Sequence, residues 1–200
     1  MPQTIRDHEI KSVVIIRDAQ PGELGEVGEL RVAAYLADGF LSEDSRYLPR
    51  LRGLGSDGEG TVLAAFLDTE PDRIVGTVML QPAPHSDEVV KSPDEAEIRA
   101  LAVAPQTQGH GIGRALLEAI MKRAAEQGVR HLVLATQLEM HAAHRLYERA
   151  GFQRLPERDW EPQPGTKLIV YGLRLDEPGP DEPGLDEPGL DQPGLDQPGA

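Results

Sequence analysis

The chain has no cysteine. Disulfides and thiolate metal sites are therefore excluded, and nothing in the composition points to an oxidising compartment. Aromatic residues are scarce too, at 4% against 39% hydrophobic residues, so any core is mainly aliphatic. Long apolar runs are missing: Val13-Val14-Ile15-Ile16 is the longest near the N-terminus, far short of a signal-peptide core or a membrane span. The expectation is a soluble cytoplasmic protein with no membrane partner. Positive charge is in short supply, with 20 Lys and Arg against 34 Asp and Glu. A surface for nucleic acid needs clustered Lys and Arg, so a nucleic-acid partner is not expected.

The formal charge of −14 is unevenly spread. Residues 176–200 hold eight acids and no Lys or Arg, which leaves 26 acids against 20 bases elsewhere. That segment is five copies of a pentapeptide, DEPGP, DEPGL, DEPGL, DQPGL and DQPGA. Its Pro-Gly pairs favour turns, its acids repel one another and its isolated leucines cannot form a packed face, so it reads as a disordered tail. Two hundred residues suffice for one domain with extensions. The expected division is an N-terminal extension over 1–11, a domain over 12–175 and the tail over 176–200.

Within the domain, strand-like and helix-like patterns alternate. Strands are expected at 12–17, 61–67, 73–80, 96–104, 131–136, 152–155 and 167–175, and helices at 22–38, 44–51, 111–127 and 140–150. The turn formers at 68–72 suggest an antiparallel hairpin, 81–95 and 156–165 read as loops, and Gly128 and Gly151 stand where helices should stop. The order is β-α-α-β-β-β-α-β-α-β-β, a mixed α/β fold with one right-handed parallel crossover in the middle of its sheet.

The most telling stretch is VAPQTQGHGIGRALL, residues 103–117, where Gly109, Gly111 and Gly113 strip side chains from a strand-to-helix turn. The start of a helix presents unpaired N–H groups and the positive end of its dipole, which makes such a turn an anion site. A Walker loop needs a Lys-Ser/Thr pair that is absent here. A dinucleotide fingerprint needs glycine or alanine where Arg114 or Leu116 stands.

The remaining pattern, Gln108-Gly109-His110-Gly111-Ile112-Gly113, with AEIRALAVAP before it and AAHRLYERAGF at 142–152, resembles the GCN5-related N-acetyltransferase (GNAT) family. The likeness spans about 12–175 and is strongest over 96–152. It implies the GNAT acyl-CoA N-acyltransferase fold, a central mixed sheet with flanking helices, and acetyl-CoA as co-substrate with no metal. Backbone N–H groups from Gly109 through His110, Gly111, Ile112 and Gly113 to Arg114 would cradle the pyrophosphate, with Gln108 opening the loop. The edge of Leu101, Ala102 and Val103 would pair with the pantetheine arm as another strand does.

The same resemblance assigns chemistry. Glu97, in its AEI context fourteen residues ahead of Gly111, matches a general base, and a base is needed because an alkyl amine is mostly protonated at neutral pH. The competing readings are substrate orientation and a solvated strand end. Tyr147 stands where a family tyrosine donates a proton to the departing CoA thiolate; on an apolar stripe it also suits plain core packing. Met140 departs from the pattern, since the family commonly has asparagine seven residues before that tyrosine, and Gln137 or His141 is left to supply the polar contact. His141 and His144 have metal-compatible spacing, but no further ligand is indicated, and a solvated or capping role is expected. Tyr35, Phe40, Tyr47 and Trp160, with Glu157, Asp159 and Glu161, are candidates for a pocket suited to a cationic amine.

The expected activity is direct acetyl transfer from acetyl-CoA to a primary amine, small-molecule or peptide, with no thioester relay because there is no cysteine. The alternative is a non-catalytic acyl-CoA-binding or sensing module of the same fold. Oligomeric state is open, a homodimer included.

Overall fold

A computed structural model describes residues 12–83, 89–163 and 165–175. The N-terminal extension, the repeat tail and the centre of the acidic loop after residue 83 lie outside the described residues. In chain order the elements are β1 (Val14–Asp18), α1 (Leu24–Ala37), α2 (Leu48–Gly53), β2 (Thr61–Leu67), β3 (Gly76–Pro82), β4 (Glu95–Val103), α3 (Ile112–Glu126), β5 (His131–Gln137), α4 (His141–Arg149), β6 (Gln153–Arg154), β7 (Trp160–Gln163) and β8 (Thr166–Arg174). The expected mixed α/β architecture is present. One element differs: the stretch read as a loop after residue 155 contains β7, an edge strand on β8. An edge tolerates Pro162 because its missing N–H faces no partner.

The eight strands form one sheet, ordered β1-β2-β3-β4-β5-β8-β6 with β7 also on β8. β2 and β3 make the expected antiparallel hairpin, and β4 runs parallel to β5 across α3. Each face has its own apolar cluster. Leu116, Ile120 and Leu132, all at 0% exposure, lie in the cluster built around α3 and α4, which also takes Tyr147 and Phe152. Val27, Ala34 and Phe66 pack under α1 on the other face. Helices α1 and α2 lie so close that a Cβ at Gly28 would sit 2.3 Å from the Arg52 carbonyl oxygen, so only glycine fits that turn of α1.

The sheet is broken at one place. Met79 pairs with Arg99 and Thr77 with Ala102, so β4 uses three residues where β3 uses two. The extra residue is a bulge, and Ala100 takes φ 49°, the one described non-glycine residue at positive φ. A left-handed backbone at alanine costs about 1–2 kcal/mol. The bulge also reverses the alternation of faces. Ala96 and Ile98 point to the α3 cluster and, after the bulge, so do Leu101 and Val103, while Ala102 and Ala104 turn to α1.

β4 and β5 accordingly pair only through Glu95–His131, Ala96–Leu132 and Glu97–Val133. Beyond Glu97 the two strands part, although β5 stays paired with β8 along its whole length. Two backbone edges therefore face each other across a gap in the middle of the sheet. If the surrounding sheet holds Ala100 in this conformation, Ala100→Val should lose about 1–3 kcal/mol in urea unfolding. Ala100→Gly should stay within about 1 kcal/mol of the parent, relief of strain offsetting the entropy of glycine.

Candidate active site

Two clefts open at the gap, each lined by residues of both β4 and β5. The first has a volume of about 880 Å³ and lies between the start of α3 and the inner side of α4, with Leu101, Ala102 and Val103 along one wall. The second, about 740 Å³, lies between the α1–α2 segment and the β7–β8 hairpin. They share a wall made by Tyr35, Phe40, Ile98, Ala100, Ala135 and Thr136.

At the mouth of the first cleft the chain leaves β4, makes a short 3-10 turn over Pro105–Thr107 and enters α3 through Gly111, the residue capping its start. Gly109 and Gly111 take φ 81° and 79°, which accounts for glycine at both. A Cβ at either would meet nothing within 4 Å, so the space in front of the loop is open. The first-turn N–H groups of Ile112, Gly113 and Arg114 have no carbonyl four residues back and can serve an anion. Gly113 lies against Leu101, Val103 and Leu146 at 3.7–3.8 Å of a notional Cβ, which ties the helix start to β4 and α4.

The loop's own side chains mostly shape it. Gln108 donates from Nε2 to the Asp38 carboxylate at 3.2 and 3.3 Å, joining the loop to the end of α1. His110 turns Nδ1 back to the carbonyls of Thr107 and Gln108, at 3.1 and 2.9 Å, and is absent from the cleft lining. Arg114 lines the cleft and pairs with Glu118 at 2.7 Å. Arg145 and Arg149, which the sequence reading did not single out, bring two more guanidiniums from α4. Their i, i+4 spacing was the available signal. The backbone cradle, the open gap and the arginines together suit a long, polyanionic thioester such as acetyl-CoA.

Tyr147 and Glu97 fall on different clefts. Tyr147 lines the first, packed among Phe152 and Tyr171 with ring centroids 5.9 and 6.2 Å away. Burial pushes its hydroxyl up to about 12, so it stays a proton donor through neutral and mildly alkaline pH. Glu97 lines the second cleft, buried at 7% exposure, with an Oε2 3.6 Å from Arg99 Nε. Its neighbour Glu95 is a contrast. That carboxylate takes the Lys91 N–H at 2.6 Å, Arg158 at 2.9 Å and the His131 ring at 2.8 Å. Burial alone would raise the Glu95 carboxyl, but these partners outweigh it and hold it below its ordinary range. Glu95 thus serves the loop contacts, lining neither cleft.

Met140 lines both clefts, and its sulfur accepts the buried Thr136 hydroxyl at 3.3 Å. Thr136 is the polar side chain at that point of the shared wall. Gln137 lines only the second cleft and donates to the Phe40 carbonyl at 3.3 Å, and His141 is exposed. His144 Nε2 lies 2.9 Å from the Gln137 carbonyl, a tie between α4 and the chain before it. No group of three His, Cys, Asp or Glu with metal-binding geometry occurs among the described residues.

Of the expected acceptor residues, Tyr35, Phe40, Tyr47 and Trp160 do line the second cleft. The acids Glu157, Asp159 and Glu161 do not; Asp159 takes Arg154 at 2.9 Å and the Val170 N–H at 3.0 Å instead. Asp44 and Glu139 stand in the cleft in their place.

A family model described as "Acetyltransferase (GNAT) family" matches residues 27–152. The chain belongs to that family, whose chemistry is acetyl-CoA-dependent N-acetyl transfer. It is 36% identical over 92 residues to a mycothiol acetyltransferase of Kocuria rhizophila, covering 46% of this chain and 29% of that one. To the mycothiol acetyltransferase of Thermobifida fusca it is 32% identical over 163 residues, covering 77% of this chain and 46% of that one. The chain therefore spans less than half the length of these relatives. Its fold matches that of YncA from Salmonella typhimurium, solved with its cofactor acetyl-CoA, at a TM-score of 0.60 and 22% identity over 83% of this chain and 96% of that one. No helix among the described residues is long and apolar enough to cross a membrane.

Gly111→Glu puts a carboxylate in front of the α3 N–H groups and is expected to lower acetyl-CoA affinity by more than tenfold in calorimetric titration. Gly111→Ala carries the same backbone strain without the charge, and should keep most of that affinity.

Proposed function

We propose that this chain moves an acetyl group from acetyl-CoA to a primary amine by direct transfer, in a complex that holds both substrates at once. One observation carries this reading: the clefts meet at a shared wall, with the buried Tyr147 hydroxyl on one side and the buried Glu97 carboxylate on the other. In this reading the pyrophosphate rests on the backbone from Gly109 to Arg114, Gln108 and His110 hold that loop in shape, and the pantetheine arm lies along Leu101, Ala102 and Val103. The thioester then reaches the wall beside Thr136.

The amine enters through the second cleft and loses a proton to Glu97. Its nitrogen attacks the thioester carbonyl, the C–S bond breaks, the CoA thiolate takes a proton from Tyr147, and the extra proton on the new amide nitrogen is lost, through solvent, to restore the neutral phenol. A donor that stays protonated to about pH 12 suits that last step, since it cannot be lost to ionisation in the working range. The opposite placement of the two groups also speaks against a purely sensing module, which needs the first cleft but no buried carboxylate on the second.

The two protons separate experimentally. Glu97→Gln should lower kcat by roughly 10²–10⁴-fold, the usual span for a general base, with a loss that shrinks as pH rises toward the amine's own pKa. Tyr147→Phe should cut kcat with little change in acetyl-CoA affinity, and raising the pH should not rescue it. A Glu97→Gln defect of constant size across pH would reassign that side chain to positioning the acceptor.

A further inference from the structure

The charge of the second cleft runs against that of the chain. In a protein with 34 acids and 20 Lys and Arg, this cleft gathers Arg46, Arg50, Arg99 and Lys167 against Asp44, Glu97 and Glu139. The distribution is layered. Arg46, Arg50 and Lys167 are exposed at the rim, whereas Glu97 and Arg99 lie deep, with side-chain exposures of 9% and 10%.

A fifth cation stands behind the wall. Arg31, one turn before Tyr35 on α1, is fully buried, and its guanidinium gives one N–H to the Leu54 carbonyl at 2.7 Å. Its Nε and Nη2 have no hydrogen-bond partner, and its charge acts on Tyr35, Tyr47 and Arg99. A buried guanidinium without a carboxylate is costly, and it leaves the floor of this cleft more positive than its lining alone.

A plain cationic amine would be opposed by these groups. An anion without an amine would find no use for Glu97. Resting on the acetyltransferase reading above, the geometry points to an acceptor that carries both: a small amine with a carboxylate close to the amino group, that is, a free amino acid. Glu97 and Arg99 are two residues apart on one face of β4, and their charged ends approach to 3.6 Å, longer than a charge-assisted hydrogen bond. The two ends form an ion pair, and a zwitterion laid alongside it sets its ammonium next to Glu97 and its carboxylate next to Arg99, while the rim cations draw the carboxylate inward. The reaction remains balanced: the amine nitrogen gains the acetyl carbon as the C–S bond breaks, giving an N-acetylamino acid, free CoA thiol and one net proton released. The carboxylate is untouched.

The test compares the common L-amino acids with their carboxamides and with the corresponding decarboxylated amines, using the full chain and acetyl-CoA and reading free thiol. One or more amino acids should be acetylated with kcat/KM about 10–100-fold above the matching amide and amine, the span expected for a hydrogen bond to a charged group. The difference should lie mainly in KM and should shrink with added salt. In the double variant Arg50→Ala/Lys167→Ala the advantage of the amino acid over its amide should narrow severalfold. Equal or better use of amides or simple amines would overturn the carboxylate assignment and leave the acetyltransferase reading in place. Acetyl-CoA binding by calorimetry with no acetylation of any compound would overturn the assignment in favour of a sensing module. Failure to bind acetyl-CoA would remove the acetyltransferase reading itself.

Discussion

The parting of β4 from β5 is the constraint on which the rest of the molecule depends. Three residue pairs join β4 to β5, and soon after them the bulge at Ala100 swings β4 away. Open strand edges are a hazard at a protein surface, because unpaired N–H and C=O groups invite another chain. Here both edges lie inside clefts walled by helices, where an extended ligand can pair with them. The strain at Ala100 is small beside the total stability of a domain, and the antiparallel pairing of β3 with β4 on both sides of the bulge supports it.

The gap also divides the electrostatic work. The first cleft offers backbone N–H groups and guanidiniums from α3 and α4, all able to serve phosphate without a dedicated lysine. The other cleft carries paired charges of both signs and an aromatic wall. Among the carboxylates on that face of β4, access to a cleft distinguishes their parts. Glu95 has its oxygens taken up by the Lys91 amide, Arg158 and His131, while Glu97 lines the open cleft. Burial by itself does not separate them, since both are under 10% exposed.

Much of this was legible in the chain. The glycine turn, the strand before it and the helix after it were readable from the residues, and Gly128 and Gly151 marked helix ends because both need the left-handed backbone that follows a last turn. The antiparallel hairpin and the parallel crossover followed from spacing alone. Other features were silent. The bulge falls on alanine, whose unusual φ is imposed by pairing with β3 and leaves no local signature. β7 has two prolines close by and a glycine after it, so its strand character comes from the β8 edge. The acids near Trp160 looked right by proximity in sequence, yet Asp159 is consumed by Arg154 and Val170, and Asp44 and Glu139 arrive from distant loops. Thr136 attracted no attention because a lone threonine in a Val- and Leu-rich strand resembles ordinary β-propensity.

The wall shared by the two clefts has a thermodynamic corollary. Tyr35, Phe40 and Thr136 line both clefts, so any adjustment that a molecule in one imposes on these side chains is felt in the other. Such coupling is reciprocal: whatever factor the donor changes in the acceptor's dissociation constant, the acceptor must change in the donor's. Side chains that line both clefts therefore make the two binding equilibria a single linked system.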